Sequence, residues 1–311
     1  MYIPLHGRST FSFLESIWKP KDIIKKAKEL WFSAIWLTDL NVIYGLIQFY
    51  QAANAEGIKP ILWVEVGLVF DVHNVRNAKN VWGICLLAKN DQGYLNLLKL
   101  ITYASQEWIE GRPKIDFQVL EKYKEGILCF SWWTQSWMFS MLKDSESVEK
   151  IDEAFDILVS ILGKENCFLE VVAQDESSDS DIKRINQYVL DLSEKKGVDC
   201  IVSNEYIYPS KDDKVTYELA MAIKDNLTIY DPNHRVPQAE NHMMTELEIK
   251  TICQKNGYDN KQIDKWIETT QKIADMCDAK IEMWQKLFPK YEVEPDVVQL
   301  YEKNKDNLIV E

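Results

Sequence analysis

Glycine is scarce in this chain, and the common glycine-dependent motifs are absent. Gly contributes 11 of 311 residues, about half of its usual share of roughly 7%. There is no GxGxxG fingerprint and no P-loop, and neither HExxH nor GxSxG occurs. The sequence therefore offers no motif for a dinucleotide-binding enzyme, a P-loop NTPase, a zincin protease or an α/β-hydrolase.

The cysteines form neither a disulfide framework nor a zinc pattern. There are six, scattered singly, and no two are spaced as CxxC. This distribution indicates buried free thiols in a reducing compartment. No signal peptide and no apolar run of membrane-spanning length is present, so we expect a cytoplasmic protein without a membrane partner.

The chain also lacks a basic balance of charge. Its net charge is −13 at pH 7, and a phosphate backbone would be repelled by such a surface. We therefore expect contact with DNA only through a larger protein, and not by this chain alone. The length of 311 residues suits one large α/β domain or a domain with an appendage.

The segment from Trp31 to Leu68 has the pattern of a βαβ unit. Ala34–Thr38 is a short apolar run, Val42–Ala55 has apolar residues at helical spacing, and Lys59–Leu68 is a second apolar run after a stop at Gly57. Strands joined in this way are parallel and buried on both faces. Functional residues of such units lie past the carboxyl ends of the strands.

Strands and helices alternate as far as residue 225, and the count of roughly seven strands predicts a closed α/β barrel. After residue 231 only helical patterns follow. We therefore predict a barrel domain over 1–228, with a helical segment and charged tail over 229–311. The further predicted strands are Tyr2–Leu5, Gly83–Ala88, Gly126–Ser131, Cys167–Val172 and Val198–Ser203.

Polar residues at the predicted strand ends are the candidates for a site. Carboxylates and a histidine gathered at the mouth of a barrel would suit a hard metal ion. For each residue alone, the alternative is a capping or surface role. The loop histidines His73, His234 and His242 show no ligand spacing, and we interpret them as solvated. The candidates are His6, Arg8, Glu15, Asp39, Glu65, Asn204 and Glu205.

Several segments resemble one known family in collinear order. They are LHGRSTFSFLES, AIWLTDLNVIYGLIQFYQAANAEGIKPILWVEVGL, LLAKNDQGYLNLLKLI, GRPKIDFQVL, IVSNEYIYP and IETTQKIADMCDAKIEM. The chain is similar to the polymerase-and-histidinol-phosphatase (PHP) family, in the form that occurs at the N-terminal region of bacterial DNA polymerase III α subunits. The resemblance implies a distorted (β/α)7 barrel followed by a small helical segment that leads towards the polymerase palm. In active members the mouth of the barrel holds a cluster of divalent metals.

Most of the family's metal-ligand positions are altered in this chain. The family's HxH pair is represented by His6 and Arg8, and the aspartate that follows is Glu15. The histidine of the family's TDH motif is Leu40, whereas its glutamate is retained as Glu65. The other ligand positions are Gly83, Trp133, Glu205 and Ile207.

The resemblance thus implies a remnant metal site in which Arg8 replaces a ligand. The remnant consists of His6, Glu15, Glu65 and Glu205, and we expect it to hold no metal. We also expect the Arg8 guanidinium to lie within hydrogen-bond reach of at least one of the glutamates, because gathered carboxylates need a cation.

These expectations lead to a scaffolding function in DNA replication. The resemblance implies a catalytically silent domain whose partners are the rest of a polymerase α subunit and a proofreading exonuclease, while nucleotide transfer belongs to a palm outside this chain. One alternative is a metal-dependent phosphoesterase, of the proofreading or histidinol-phosphatase type, that uses Zn or Mn in the reduced site. Another is a binding module unrelated to replication.

Tryptophan is as frequent as glycine, with 11 of each. Several Trp occupy positions where the family or a helix end favours glycine, among them Trp31, Trp63, Trp284 and the group Trp132, Trp133 and Trp137. If all were glycine, the count would be 11 + 11 = 22, about the usual 7%. We therefore hypothesise that the gene uses UGA as a glycine codon. The alternative is that these residues are genuine aromatics, some of them packed in the core.

Overall fold

The structure is a computed structural model that describes residues 1–72, 82–106, 113–131, 148–283 and 295–304. It contains two compact units, Met1–Lys280 and Ile281–Glu311. In the second unit the described helix is Pro295–Asn304. Among the residues singled out from the sequence, Trp132, Trp133, Trp137, Trp284 and His73 lie outside the described ranges.

The first unit alternates strands and helices through residue 224 and then becomes helical. Its described strands are β1 His6–Gly7, β2 Ala34–Trp36, β3 Lys59–Ile61, β4 Trp63–Val69, β5 Trp82–Ala88, β6 Lys114–Asp116, β7 Ile127–Ser131, β8 Cys167–Val172, β9 Cys200–Ser203 and β10 Glu205–Tyr206. Its described helices are α1 Pro20–Glu29, α2 Leu46–Glu56, α3 Asp91–Gln106, α4 Phe117–Lys122, α5 Val148–Leu162, α6 Ser180–Lys196, α7 Lys214–Lys224, α8 Glu246–Lys255 and α9 Asn260–Met276.

The strands close into a distorted (β/α)7 barrel, as predicted. The larger sheet has the order β6-β4-β5-β7-β8-β9, β2 pairs with β3, and β1 pairs with β10. A single residue separates β3 from β4 and β9 from β10, so each pair acts as one barrel strand. The ring closes where the backbone N–H of Thr38, just after β2, donates to the carbonyl oxygen of Gly7 in β1 at 2.6 Å.

The barrel departs from the all-parallel arrangement that the sequence predicts. β5 is antiparallel to both of its neighbours, β4 and β7, while the β1–β10, β2–β3, β7–β8 and β8–β9 pairs are parallel. The sequence pattern did not reveal this, because a strand buried on both faces has the same apolar run in either direction. The predicted strand Tyr2–Leu5 is also wrong, because the β1 ladder begins at His6.

The helices α8 and α9 pack against the barrel within the first unit. Ile273, Ala274 and Cys277, at the end of α9 and just beyond it, join the hydrophobic core cluster that contains the inward-facing strand residues. The side chain of Lys59 also donates to the carbonyl oxygen of Ala274 at 2.7 Å. The division between the two compact units falls after Lys280. The boundary between the barrel domain and the helical segment, between residues 228 and 229, stays a prediction.

Trp31 has the backbone conformation expected at a glycine position. It follows α1 with φ of +62°, in the left-handed region that favours Gly, and its side chain is 84% exposed. At the end of α2 the residue in the left-handed region is Gly57, with φ of +70°. By contrast, Trp36 and Trp63 are buried in the barrel, and their indole N–H groups find no hydrogen-bond partner among the described residues.

No helix in the described part of the chain combines the length and the apolar character that a membrane span requires.

Candidate functional site

A buried arginine lies among three glutamates at the end of the first barrel strand. Arg8 directly follows β1, and its Nε lies 2.9 Å from Oε1 of Glu205 in β10. Its Nη2 lies 3.6 Å from Oε2 of Glu65 in β4, and its Nη1 lies 3.7 Å from Oε2 of Glu15 in the loop after β1. The Arg8 side chain is 4% exposed. We call these four side chains the mouth cluster.

The cluster is possible because β1 and β10 approach each other closely. Their parallel register places His6 beside Glu205 and Gly7 beside Tyr206. A Cβ atom on Gly7 would lie 1.8 Å from the Tyr206 ring, so only glycine fits at this position. The Tyr206 hydroxyl donates to the carbonyl oxygen of Trp36 and so connects β10 to β2. Packing at the strand end thus brings residues distant in sequence to one point.

The charges within the mouth cluster compensate one another. Burial disfavours the charge of Arg8, but Glu205, Glu65 and Glu15 outweigh that effect and leave the pKa of Arg8 raised. Glu15 also accepts from the side chain of Lys224 at the end of α7. Among the described residues, Lys224 thus adds a second positive charge beside the cluster, from a helix more than 200 residues further along the chain.

His6 lies on the same strand as Arg8 but contacts a different set of side chains. Its Nδ1 is 2.8 Å from Oε1 of Glu170 in β8, and its Nε2 is 3.7 Å from Sγ of Cys85 in β5. The hydroxyl of Ser203 donates to the same Glu170 oxygen. Burial raises the pKa of the Cys85 thiol well above its ordinary value. His6 thus belongs to a separate buried polar group inside the barrel.

Asp39, the strand-end candidate after β2, organises the loops around the mouth. Its carboxylate accepts from the backbone N–H and the hydroxyl of Ser9 and from the hydroxyl of Ser12. The Ser12 oxygen in turn accepts from the backbone N–H of Leu40 at 3.0 Å. Burial raises the pKa of Asp39 against the opposing effect of these hydrogen bonds. Its bonds support the capping role that the sequence left open.

The structure gathers the three predicted glutamates and Arg8 but places the other candidates elsewhere. Asn204 faces the loop before α8, where its side chain donates to the carbonyl oxygen of His242 at 3.0 Å. The interpretation of the loop histidines as solvated is wrong for the two that are described, because His242 and His234 have side chains only 6% and 15% exposed. Each forms a contact with a helical glutamate.

The sequence analysis missed Lys224, Glu170 and Cys85. Glu170 and Cys85 lie inside apolar strands. The available signal was the carboxylate of Glu170 within an apolar run, because a charged side chain is seldom buried without a partner. Lys224 ends a helix and carried no signal, since its contact depends on where α7 packs. Within the described ranges, no group of three or more His, Cys, Asp or Glu side chains is arranged to hold a metal ion.

Comparison with known protein families identifies the family to which this fold and this cluster belong. The profile of the PHP domain family matches residues 4–174, which is more than half of the chain, and the chain belongs to that family. The matched residues contain β1 to β8 and three members of the mouth cluster, Arg8, Glu15 and Glu65.

The curated relatives are polymerase subunits. The DNA polymerase III subunit alpha of Aquifex aeolicus (strain VF5) is 28% identical over 308 residues, which cover 95% of this chain and 26% of that protein. The subunit of Borreliella burgdorferi is also 28% identical, over 94% of this chain and 25% of that protein. The chain thus spans about a quarter of the length of the relatives that it matches.

Among solved structures, an amidohydrolase from Chromobacterium violaceum aligns with 68% of this chain and 89% of its own, at 12% identity and a TM-score of 0.45.

Proposed function

We propose that this chain is the PHP domain of a bacterial DNA polymerase III α subunit, with a degenerate metal site and a scaffolding role in DNA replication. The observation that carries the proposal is the position of Arg8 in the mouth cluster. Its guanidinium lies between the carboxylates of Glu15, Glu65 and Glu205, where a member of the family with intact ligands would need a metal cation. The similarity to α subunits over 94–95% of the chain supports the replicative setting.

The residues at the mouth do not fit a divalent cation. Arg8 is permanently charged and buried, so a metal that approached the glutamates would meet a fixed positive charge. Leu40 stands where the family has a histidine, and its apolar side chain offers no donor. A metal needs three or four protein donors held in the correct geometry.

The position of His6 supports the same conclusion. Both of its ring nitrogens already face polar side chains, because Nδ1 lies beside Glu170 and Nε2 lies beside the Cys85 thiol. To bind a metal together with Glu65, the ring would have to give up the Cys85 contact. The remnant site is therefore divided between the mouth cluster and a second polar group inside the barrel.

The mouth cluster is suited to a structural role. It joins β1, the loop after β1, β4 and β10, and Lys224 adds α7 through its bond to Glu15. An arginine paired with three carboxylates keeps these elements together without any dependence on metal supply. In this proposal the rigid barrel braces the rest of an α subunit and reaches DNA only through it, and a proofreading exonuclease is a candidate partner.

Metal analysis and a nuclease assay test the proposal together. We expect the protein, purified without chelators, to contain less than stoichiometric Zn, Mn or Fe, and to release no nucleotide from a 3′ DNA end or phosphate from histidinol phosphate. A stoichiometric metal together with hydrolysis that Glu65→Gln abolishes would overturn the proposal and establish the phosphoesterase alternative. An open reading frame that continues into a polymerase palm would support the replicative setting.

A further inference from the structure

A turn that follows α7 is fastened to that helix by two charged contacts. In the turn 231–236, Nε2 of His234 lies 2.6 Å from Oε1 of Glu218, and Nδ1 lies 2.6 Å from the carbonyl oxygen of Asp231. The next residue, Arg235, forms a bidentate pair with Asp225, with N···O distances of 2.6 and 2.8 Å. The turn is thus held at adjacent residues by a histidine and by an arginine.

The geometry around His234 requires protons on both ring nitrogens. A carbonyl oxygen can only accept, and an ionised carboxylate also only accepts. A neutral imidazole has one N–H, so one of its nitrogens would face an oxygen with no proton between them. At 2.6 Å such a lone-pair contact is repulsive. With Glu218 ionised, the two short contacts are therefore satisfied together only by the imidazolium form.

The groups that face His234 favour that charged form. On its own turn the facing group is the Asp231 carbonyl, with the Asp231 carboxylate nearby, and on α7 it is Glu218. The hydrogen bond to Asp231 and then the bond to Glu218 raise the pKa of His234 above its ordinary value. The nearest cation on the turn, Arg235, is compensated by its pairing with Asp225.

The turn lies close enough to the mouth cluster to affect it. The hydrogen bonds to Asp225 raise the pKa of Arg235, and Tyr217 and Glu15 add to that effect through their charges. Glu15 is the cluster member that Lys224 of α7 also contacts. The turn, α7 and the rim of the barrel therefore form one connected set of charges.

We propose that His234 is a pH-sensitive latch, which fastens the turn 231–236 to α7 beside the barrel mouth when both ring nitrogens are protonated and loosens that attachment when one proton is lost, so that the Arg235–Asp225 pair then holds the turn alone. The latch goes beyond the scaffolding function and does not depend on it. Loss of the proton removes one positive charge from the turn, so the charge beside the rim changes with pH.

The sign of the pH dependence follows from the direction of the pKa shift. A group with a raised folded-state pKa contributes stability that is complete below its unfolded value, which is about 6.5 for His. That contribution is lost as the pH rises through the raised folded-state value. The latch is therefore closed in acid, and it opens on the alkaline side of the ordinary histidine range.

An NMR titration of the 311-residue chain tests the latch directly. Imidazole resonances, assigned with His234→Gln, should place the midpoint of His234 above about 6.5. Hydrogen exchange, corrected for its intrinsic pH dependence, should show protection of the amides of Asn233 and His234, which donate to Asp231, and that protection should fall around the same midpoint.

Two variants separate the latch from a merely structural turn. Glu218→Gln keeps a side-chain acceptor but removes the charge, and it should move the His234 midpoint and the loss of protection to lower pH together. Asp225→Asn is the control for loss of a neighbouring carboxylate that does not contact the ring; it weakens the Arg235 pair and should lower the His234 midpoint less than Glu218→Gln does. A midpoint at or below about 6.5, an unaffected midpoint in Glu218→Gln, or protection that does not follow the titration would each overturn the proposal.

Discussion

Replacement of Arg8 by methionine is the most direct test of the mouth cluster. Methionine has a similar length and no charge, so Arg8→Met leaves three buried or nearly buried carboxylates without the guanidinium, while Lys224 still contacts Glu15. Removal of one partner from a buried ion pair typically costs about 3–5 kcal/mol, because the remaining charge is desolvated and uncompensated. We expect a loss of that size in the free energy of unfolding.

Thermal and urea unfolding of the same chain provide the measurement. A loss of about 3–5 kcal/mol corresponds to a drop in Tm on the order of 10 °C for a domain of this size class. Adding Glu205→Gln to Arg8→Met should restore part of the loss, because the two side chains are coupled.

The control is the same substitution at an arginine on the protein surface. Arg184 pairs with Asp181 one turn away on α6, and their side chains are 49% and 39% exposed. Exposed pairs of this kind contribute roughly 0.3–0.5 kcal/mol, so Arg184→Met should be close to neutral. If Arg8→Met cost no more than Arg184→Met, the cluster would not hold the barrel mouth and the reasoning would fail.

Three further predictions concern other parts of the chain. Trp31→Gly should stabilise the protein by about 1 kcal/mol, because φ of +62° suits glycine and the exposed indole contributes little packing. Gly57→Ala is the opposite change at another left-handed position, and it should destabilise the protein. A UGG codon at Trp31 would disprove the recoding hypothesis. Gly7→Ala should cost roughly 1–3 kcal/mol in the free energy of unfolding measured with urea, because its Cβ would lie 1.8 Å from the nearest atom of the Tyr206 ring. A neutral result would contradict the close approach of β1 and β10. The isolated chain should show no change in DNA fluorescence anisotropy at physiological salt, given the net charge of −13; tight, salt-sensitive binding would disprove this.

The sequence by itself was sufficient for the features that depend on local pattern. The βαβ unit at 31–68 follows from apolar runs and a glycine stop, and the alternation of elements predicts a barrel. Placing Glu65 and Glu205 near Arg8 used the rule that functional side chains gather at the carboxyl ends of parallel strands, together with the resemblance to the PHP family. Trp31 was singled out because a helix end needs a residue that tolerates positive φ, and φ is a local property.

Tertiary structure alone decided the direction of β5, the partners of His6 and the packing of α8 and α9. A doubly buried strand has the same composition in either direction, so pairing with β4 and β7 sets its orientation. His6 meets Glu170 and Cys85 across the barrel interior, and Lys224 meets Glu15 from a helix 209 residues away. These contacts depend on side chains brought together by closure of the barrel. No periodicity records such a closure, because the free energy that selects it comes from burial and charge compensation between distant segments.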